Sequence, residues 1–158
     1  MESNILNEFS SSDRHKIIIL RCRPEELRQA KSYVENLGVP IVNVGLILAQ
    51  KITELTNEKH LGIELQEFLT RSIETNSKLI QDDNLEIISV YNLGVLLEPD
   101  LGLDPRAIIK DISRRIGLVV IWQDEITPPA KLHWKDGEDT HFIDLSDIPQ
   151  LKVKAYEI

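Results

Sequence analysis

Residues 103–122, LDPRAIIKDISRRIGLVVIW, show the clearest local pattern in the chain: a predicted helix that runs directly into a predicted buried strand. Asp104 is a residue type that caps helix N-termini, and Pro105 suits the first helical turn, where its amide hydrogen is not needed. Isoleucines recur at helical spacing, arginines occupy the last turn, and Gly117 is the predicted terminator. The uninterrupted apolar run at 118–122 then predicts a strand that is covered on both faces.

The rest of the chain alternates between short apolar runs and helical periodicity. The predicted strands are residues 17–20, 39–44 and 85–90, the last after a polar turn at 81–84. The predicted helices are residues 24–37, closed by Gly38, then 46–55 and 63–77. Their apolar stripes are Leu27, Ala30, Val34 and Leu37, then Leu48, Ala49, Ile52 and Leu55, then Leu65, Phe68, Leu69 and Ile73. This alternation predicts a three-layer α/β fold with a mostly parallel sheet and helices on both faces.

The two ends of the chain break this alternation. Residues 1–14 are a polar lead-in, in which Ile5, Leu6 and Phe9 are expected to dock as a short helical turn. Beyond Pro129, short strands are predicted at 131–134, 141–145 and 152–156, and the sequence leaves their order in the sheet open. We therefore expect a single α/β domain over residues 15–158.

The composition is that of one folded domain outside the membrane. The 158 residues are 42% hydrophobic and 28% charged, and no apolar run approaches the roughly 20 residues of a membrane helix. The N-terminus has no apolar signal segment, and the single cysteine, Cys22, excludes an intrachain disulfide and a cysteine-based zinc site. We expect a cytoplasmic protein. Its net charge of −8 repels phosphate backbones, so contact with DNA is expected only indirectly.

The loop after the first strand is where an open α/β sheet of this kind would hold a phosphate. A phosphate-cradling loop needs glycines, whose amides wrap the anion, and a lysine that reaches it. Here the loop contains Arg21, Cys22 and Arg23, followed by a proline and two glutamates. It lacks glycine, lysine and a Ser/Thr for magnesium, so we expect no ordinary triphosphate site. Arg21 and Arg23 remain candidates for contact with an anion, and together they could lower the pKa of Cys22.

The third strand offers a second test of nucleotide chemistry. A Walker B strand ends in an acidic residue that holds magnesium, whereas this strand is followed by Tyr91 and Asn92. Neither residue replaces a carboxylate, so we expect no catalytic residue, no metal and no ATP–magnesium cofactor. The sequence therefore favours a chain that is not an ATPase.

Several segments of the chain resemble a known family. Residues 91–101 (YNLGVLLEPDL), with 103–106, 112–115 and 119–122, are similar to the small P-loop protein BrxF of type 3 BREX phage-defence clusters. Residues 38–46 (GVPIVNVGL) and 131–134 (KLHW) resemble the second and a late strand of that family. The resemblance covers roughly residues 16–134 and is most specific over 103–122.

The resemblance implies a P-loop NTPase-like fold and a place in a multiprotein defence complex as an ATPase-like component. The chain departs from the family at residues 21–28, where the Walker A glycines, lysine and Ser/Thr have no counterpart. It departs again at Tyr91, which stands in the Walker B position. The resemblance therefore implies a degenerate relative that is retained for the complexes it forms.

Several other polar residues have two possible interpretations, one functional and one purely structural. Arg106, Lys110 and Arg114 share one stripe of the predicted helix and could contact DNA or a partner. Arg114 and Arg115 could act in trans as arginine fingers, although basic residues in a last turn commonly complement the helix dipole. Gln123 and Asp124 follow the fourth strand, in a sensor-like position or at a solvated strand end. His133, His141 and Asp144 lack the helical spacing of a metal site.

Two functional hypotheses follow. The first is a non-catalytic interaction subunit, whose partners are other protein subunits or further copies of the same chain in a homo-oligomer. The second is a module that binds a nucleotide or another anion without hydrolysing it, through Arg21 and Arg23. An enzyme of unrelated chemistry has no constellation of nucleophile, base and orienting group to support it.

Overall fold

The computed structural model describes residues 5–10, 13–54, 61–80, 85–98, 101–136 and 139–156. Its helices are α1 (Leu27–Asn36), α2 (Val44–Ile52), α3 (Leu61–Asn76) and α4 (Pro105–Arg115). Its strands are β1 (Ile17–Arg21), β2 (Ile41–Asn43), β3 (Lys78–Ile80), β4 (Leu85–Tyr91), β5 (Gly117–Trp122), β6 (Ile126–Thr127), β7 (Lys131–Asp136), β8 (Asp139–Asp144) and β9 (Lys152–Ala155). Single 3₁₀ turns cover Ile5–Glu8, Pro24–Glu26 and Leu93–Leu97.

The main sheet has six strands, and five of them run parallel in the order β2-β4-β5-β1-β9. The sixth, β3, pairs antiparallel with the first half of β4, whereas β2 pairs with its last residues. Strands β2 and β3 therefore lie end to end along one edge of β4. The prediction of an α/β fold with a mostly parallel sheet is confirmed.

Both faces of the sheet are covered, which explains why its central strands are apolar at every position. One face packs against α1 and the N-terminal turn, where Leu6, Ala30 and Val34 are buried. The other face packs against α2, α3 and α4, whose buried residues include Leu48, Leu65 and Ile109. The helical turn expected near Ile5 is present, and its Leu6 is part of the core.

The C-terminal strands divide between two sheets. Strand β9 joins the main sheet beside β1, whereas β6, β7 and β8 form a separate antiparallel sheet. This hairpin sheet packs on the α4 side of the main sheet through Leu132, Ile143 and Leu145, all fully buried beside Trp122. That face of the main sheet is therefore covered both by helices and by the small antiparallel sheet.

Helix α4 begins as its sequence predicts. The Asp104 carboxylate accepts a hydrogen bond from the Ala107 amide at 3.1 Å, and the four isoleucines of its apolar face are buried. The predicted role of Gly117 is wrong. The helix ends because Ile116 is already extended, with φ −135°, and Gly117 is the first residue of β5.

Three further boundaries differ from the predictions. Strand β2 stops at Asn43 because the Asn43 side chain caps α2, accepting the Leu46 amide at 3.0 Å. Ala49 is exposed rather than on the buried side of α2, and strand β3 was not predicted. Leu55 and the polar turn at 81–84 lie outside the described residues. Within the part of the chain that is described, none of the helices is long and apolar enough to cross a membrane.

Candidate functional site at the carboxyl edge of the sheet

The carboxyl ends of the parallel strands meet at one edge of the sheet, the usual ligand edge of an open α/β fold. The registers place Arg21 beside Trp122 and Ala155, and Asn43 beside Tyr91. Most of the predicted site residues follow directly on these strand ends. The fold therefore brings them to the same edge, and their individual contacts decide which of them form a site.

The loop after β1 is closed by its own side chains. The Glu26 carboxylate accepts a hydrogen bond from the Arg23 amide at 2.9 Å and lies 3.6 Å from the Arg23 Nε. Pro24 opens the turn and has no amide hydrogen to offer. Only Cys22 and Arg23 separate β1 from this turn, which continues directly into α1. The Glu26 carboxylate thus accepts the hydrogen bond of an amide that, in a phosphate-binding loop, would be available to a bound anion.

Cys22 is buried behind this loop, and its amide donates to the Trp122 carbonyl at 3.0 Å. Burial raises the pKa of the Cys22 thiol, and the negative charge of Glu26 raises it further. The expectation that Arg21 and Arg23 lower this pKa is wrong, because desolvation disfavours the thiolate and the negative charge of Glu26 disfavours it further. Cys22 is therefore a core thiol and not an activated nucleophile.

At the end of β4, Tyr91 and Asn92 point to different partners. The Lys31 Nζ of α1 donates to the Tyr91 hydroxyl at 3.1 Å and lies 4.2 Å from the centre of its ring. Asn92 adopts a left-handed conformation with φ 60°, and its amide group donates to the Asn43 Oδ1 at 2.9 Å. Tyr91 thus ties β4 to α1, and Asn92 ties it to the N-terminus of α2.

Asn92, Gln123 and Asp124 do come together, in a cleft of about 30 Å³. The other residues that line this Asn92 cleft are Leu93, Gly94, Ile121, Trp122 and Trp134. Burial raises the pKa of Asp124, an effect that the positive charge of Lys135 partly offsets. A space of this size holds about one water molecule, far below the roughly 300 Å³ of a small-molecule pocket.

Trp134 closes this cleft from the hairpin side. Its indole lies so close to Gly94 that a Cβ on that residue would overlap the ring. The sequence analysis did not predict this contact, because Trp134 lies in a predicted short strand far from Gly94 along the chain and no local pattern links the two residues. The contact joins the carboxyl edge of the main sheet to the β7–β8 hairpin.

The basic residues of α4 divide between the two ends of the helix. Arg106, near the carboxyl edge, forms an ion pair with Asp147. Arg115 binds Asp111 through two hydrogen bonds of 2.9 and 3.0 Å and also pairs with Glu74. These acidic partners raise the pKa of Arg115, since they stabilise its charged form. A residue held by two carboxylates of its own chain is poorly placed to act in trans as an arginine finger.

Lys110 and Arg114 lie near the amino edge of the sheet, around the buried His15. The His15 Nδ1 lies 3.1 Å from the Ser113 Oγ, which itself donates to the Lys110 carbonyl, so the imidazole is the donor in that pair. Burial lowers the pKa of His15, and the positive charges of Arg114, Arg14 and Lys110 lower it further. These basic residues are therefore far from the Asn92 cleft.

The three polar residues of the tail are also separate from one another. The His133 Nε2 pairs with the Thr127 hydroxyl at 2.7 Å, and the His141 ring packs 5.7 Å from that of Trp134. The pKa of Asp144 is lowered by hydrogen bonds that its carboxylate accepts from the Ser146 side chain and from the Ser146 amide, the latter at 3.0 Å. Each side chain thus has a local partner.

A concave surface near the carboxyl edge lies beside the hairpin. It is a groove of about 540 Å³ between residues 142–144 of β8 and residues 104–106 at the start of α4, with Leu97, Ser146 and Asp147 completing its walls. We call it the β8 groove. Sequence reasoning missed it, although the period of two in β8 already places Phe142 on the face opposite the buried Ile143.

Comparisons of this chain with protein-family models, with curated proteins and with solved structures found no match.

Proposed function

We propose that the chain is a non-hydrolysing accessory subunit with a P-loop-like fold, which acts through protein contacts in a multiprotein assembly such as a BREX-type phage-defence complex. One observation carries this proposal: the Glu26 carboxylate occupies the Arg23 amide in the loop where a nucleotide phosphate would bind. A carboxylate in that place repels phosphate as well as blocking a donor, so the loop opposes the ligand twice.

The order of the parallel strands supports the P-loop-like part of the proposal. Counted along the chain, they lie in the order second, third, fourth, first and fifth. One large class of P-loop NTPases has the same order, with a strand between the phosphate-loop strand and the Walker B strand. In that analogy β1 leads into the phosphate loop and β4 ends at the Walker B position. The analogy concerns the fold, and function has to be judged from the residues at these two places.

The residues at the second place support the non-hydrolysing part. Neither Tyr91 nor Asn92 has a carboxylate that could bind a magnesium ion. Both side chains also have partners within the chain, Lys31 for Tyr91 and Asn43 for Asn92. The loss of the phosphate loop and the loss of the acidic residue are independent departures. Their combination favours a chain retained for its surface.

Affinity purification of the tagged chain from its native host tests this proposal. We expect recovery in a stable complex with other protein subunits, whose composition survives the addition of ATP and of a chelator. Recovery as an inert monomer without any partner would contradict the proposal.

The alternative is a module that binds a nucleotide or another anion without turnover. It is favoured by Arg21 and Arg23, because both are exposed at the ligand edge and the Arg23 side chain is 76% exposed. Thermal shift with ATP, GTP and cyclic nucleotides tests it. A rise in melting temperature that is lost in an Arg21→Ala, Arg23→Ala variant would support it, and no shift at millimolar ligand would contradict it.

A further inference from the structure

The β8 groove lies beside the outer edge of β8, where backbone hydrogen-bonding groups have no partner among the described residues. The His133 amide of β7 donates to the Glu125 carbonyl, on the β6 side, at 2.8 Å. His133 is opposite Phe142 in the β7–β8 ladder, so this pair does not exchange hydrogen bonds. The backbone N–H and C=O of Phe142 therefore point away from β7, toward the outer edge of β8.

The same alternation applies to Asp144. The Leu145 amide donates to the Ala130 carbonyl at 2.9 Å, which places the ladder bonds at residue 145 and, two residues earlier, at residue 143. The backbone of Asp144 then faces outward like that of Phe142. Within the described part of the chain, neither outward-facing N–H has a hydrogen-bond partner on another element.

The walls of the groove combine apolar and acidic character. Phe142 is 54% exposed, although it is one of the largest apolar side chains of the hairpin, and Pro105 and Leu97 face it from the other side. Three carboxylates line the groove, those of Asp104, Asp144 and Asp147. Arg106 also lines the groove and pairs with Asp147, and Lys131 lies 4.1 Å from the centre of the Phe142 ring. Among the described residues, Asp104 and Asp144 are therefore the groove carboxylates without an ion pair.

These features fit one kind of occupant. We infer that the β8 groove binds an extended segment of a protein partner, which adds a strand to the outer edge of β8 and places a lysine or arginine beside Asp144. Unpaired strand edges accept extended peptides through main-chain hydrogen bonds, and the side-chain surroundings select the sequence. The inference rests on the proposed function, because it names the surface through which the chain contacts a partner.

An array of synthetic nine-residue peptides tests the inference on the full chain. One set carries lysine or arginine at alternate positions among valine and threonine, a second replaces each basic residue by glutamate, and a third interrupts the basic peptides with proline. We expect the basic set to bind at least about tenfold more tightly than the acidic set, since it meets the carboxylates with opposite charge. Proline should weaken binding about tenfold, because it removes main-chain hydrogen bonds.

A matched pair of variants locates the binding. Asp144→Asn removes the charge but keeps an oxygen that can accept the Ser146 amide, and it should lower the affinity for basic peptides about fivefold. Glu35→Gln removes one negative charge from the exposed surface of α1, on the other face of the main sheet, and should leave the affinity unchanged. Circular dichroism checks that both variants remain folded.

Three results would overturn the inference: no binding by any basic peptide at millimolar concentration, equal binding of basic and acidic peptides, or equal affinity of the Asp144→Asn and Glu35→Gln variants. A concentration-dependent dimer that excludes the peptides would assign the groove to a second copy of the chain and would also overturn it. In each case the native-host purification is unaffected, so partners recovered there through another surface would leave the proposed function standing.

Discussion

The loop after β1 and the outer edge of β8 differ in whether their backbone hydrogen-bonding groups are paired. In the loop, the Glu26 carboxylate accepts a hydrogen bond from the Arg23 amide within the same turn. At the edge of β8, which lines a groove of about 540 Å³, the Phe142 amide faces away from β7 and has no hydrogen-bond partner on another described element. A P-loop-like fold would bind its ligand at the first region, where the Arg23 amide is already paired within the turn. The second region lies outside the usual ligand loops, and its outward-facing backbone groups are unpaired among the described residues.

The proposed function and the inference about the β8 groove both assign binding to the molecule's surface outside the loop after β1. The sheet and its covering helices are intact, with buried apolar residues on both faces. An unpaired strand edge can accept another extended chain through main-chain hydrogen bonds, whereas a turn whose amide is already paired cannot. The open groups beside β8 therefore identify a better place to look for a partner than the closed loop.

The largest effect is expected from loosening the hairpin that carries the open edge. Leu132 of β7 is fully buried against the main core. Leu132→Ala should lower the free energy of unfolding by about 3 kcal/mol, through lost burial and a residual cavity. Urea denaturation measures it. Phe142→Ala is the control, because its side chain is 54% exposed and its loss should change stability by less than about 0.5 kcal/mol. Equal effects would show that the hairpin does not dock as described.

A smaller effect is expected at the contact that joins the two regions. Gly94→Ala would place a Cβ against the indole of Trp134 and should cost about 2 kcal/mol through overpacking. For a chain of this length, that lowers the melting temperature by about 4–8 °C. In the background of Trp134→Leu, the same substitution should cost clearly less, because the overlapping ring is gone. An additive double variant would contradict the contact.

Opening the closed loop should have a modest effect. Glu26→Ala removes the carboxylate that accepts the Arg23 amide and should lower stability by about 1 kcal/mol, the usual cost of a lost capping interaction. Glu25→Ala is the matched control, since its side chain is 68% exposed and lies 3.9 Å from the Arg23 guanidinium. Equal stability of the two variants in urea denaturation would show that Glu26 does not close the loop.

The smallest effect concerns pH and lies at the amino edge, away from both regions. The pKa of His15 is below its ordinary value of 6.5 because burial and nearby basic residues disfavour the imidazolium. The unfolded chain therefore takes up the proton first. The stability that neutral His15 contributes is present above pH 6.5 and is lost as pH falls through the lower folded pKa.

Urea midpoints measured between about pH 7 and pH 5 check this sign. The wild-type midpoint should fall more steeply with decreasing pH than that of a His15→Gln variant. The difference between the two slopes is the useful quantity, because Asp124 has a raised pKa and acts in the opposite direction at lower pH. Parallel slopes would contradict the assignment.

The sequence predicted the elements whose signals are local. Helix α4 and strand β5 follow from a cap, a helical stripe and a continuous apolar run, all within residues 103–122. Strand β3 was missed because an edge strand over residues 78–80 is too short to show a period. The order of the strands also has no local signal, since it depends on pairings such as that of β1 with β9, far apart along the chain.

The candidate site could be predicted only where its features depend on local sequence. The composition of the loop after β1 already argued against a phosphate site, but its closure by Glu26 and the raised pKa of Cys22 depend on how the turn folds. The β8 groove could not be predicted, because it forms where the hairpin meets α4. The ion pair between Arg106 and Asp147, separated by 41 positions, is an example of such a contact.

The decisive experiment is isothermal titration of the purified chain with ATP and magnesium, with ATP turnover assayed on the same sample. We expect no binding heat and no turnover, because Glu26 closes the loop after β1 and the two residues directly after Val90 are Tyr91 and Asn92, not carboxylates. Micromolar binding would mean that Arg21 and Arg23 form a phosphate site despite Glu26, and ATP turnover would contradict the proposal of a non-hydrolysing chain.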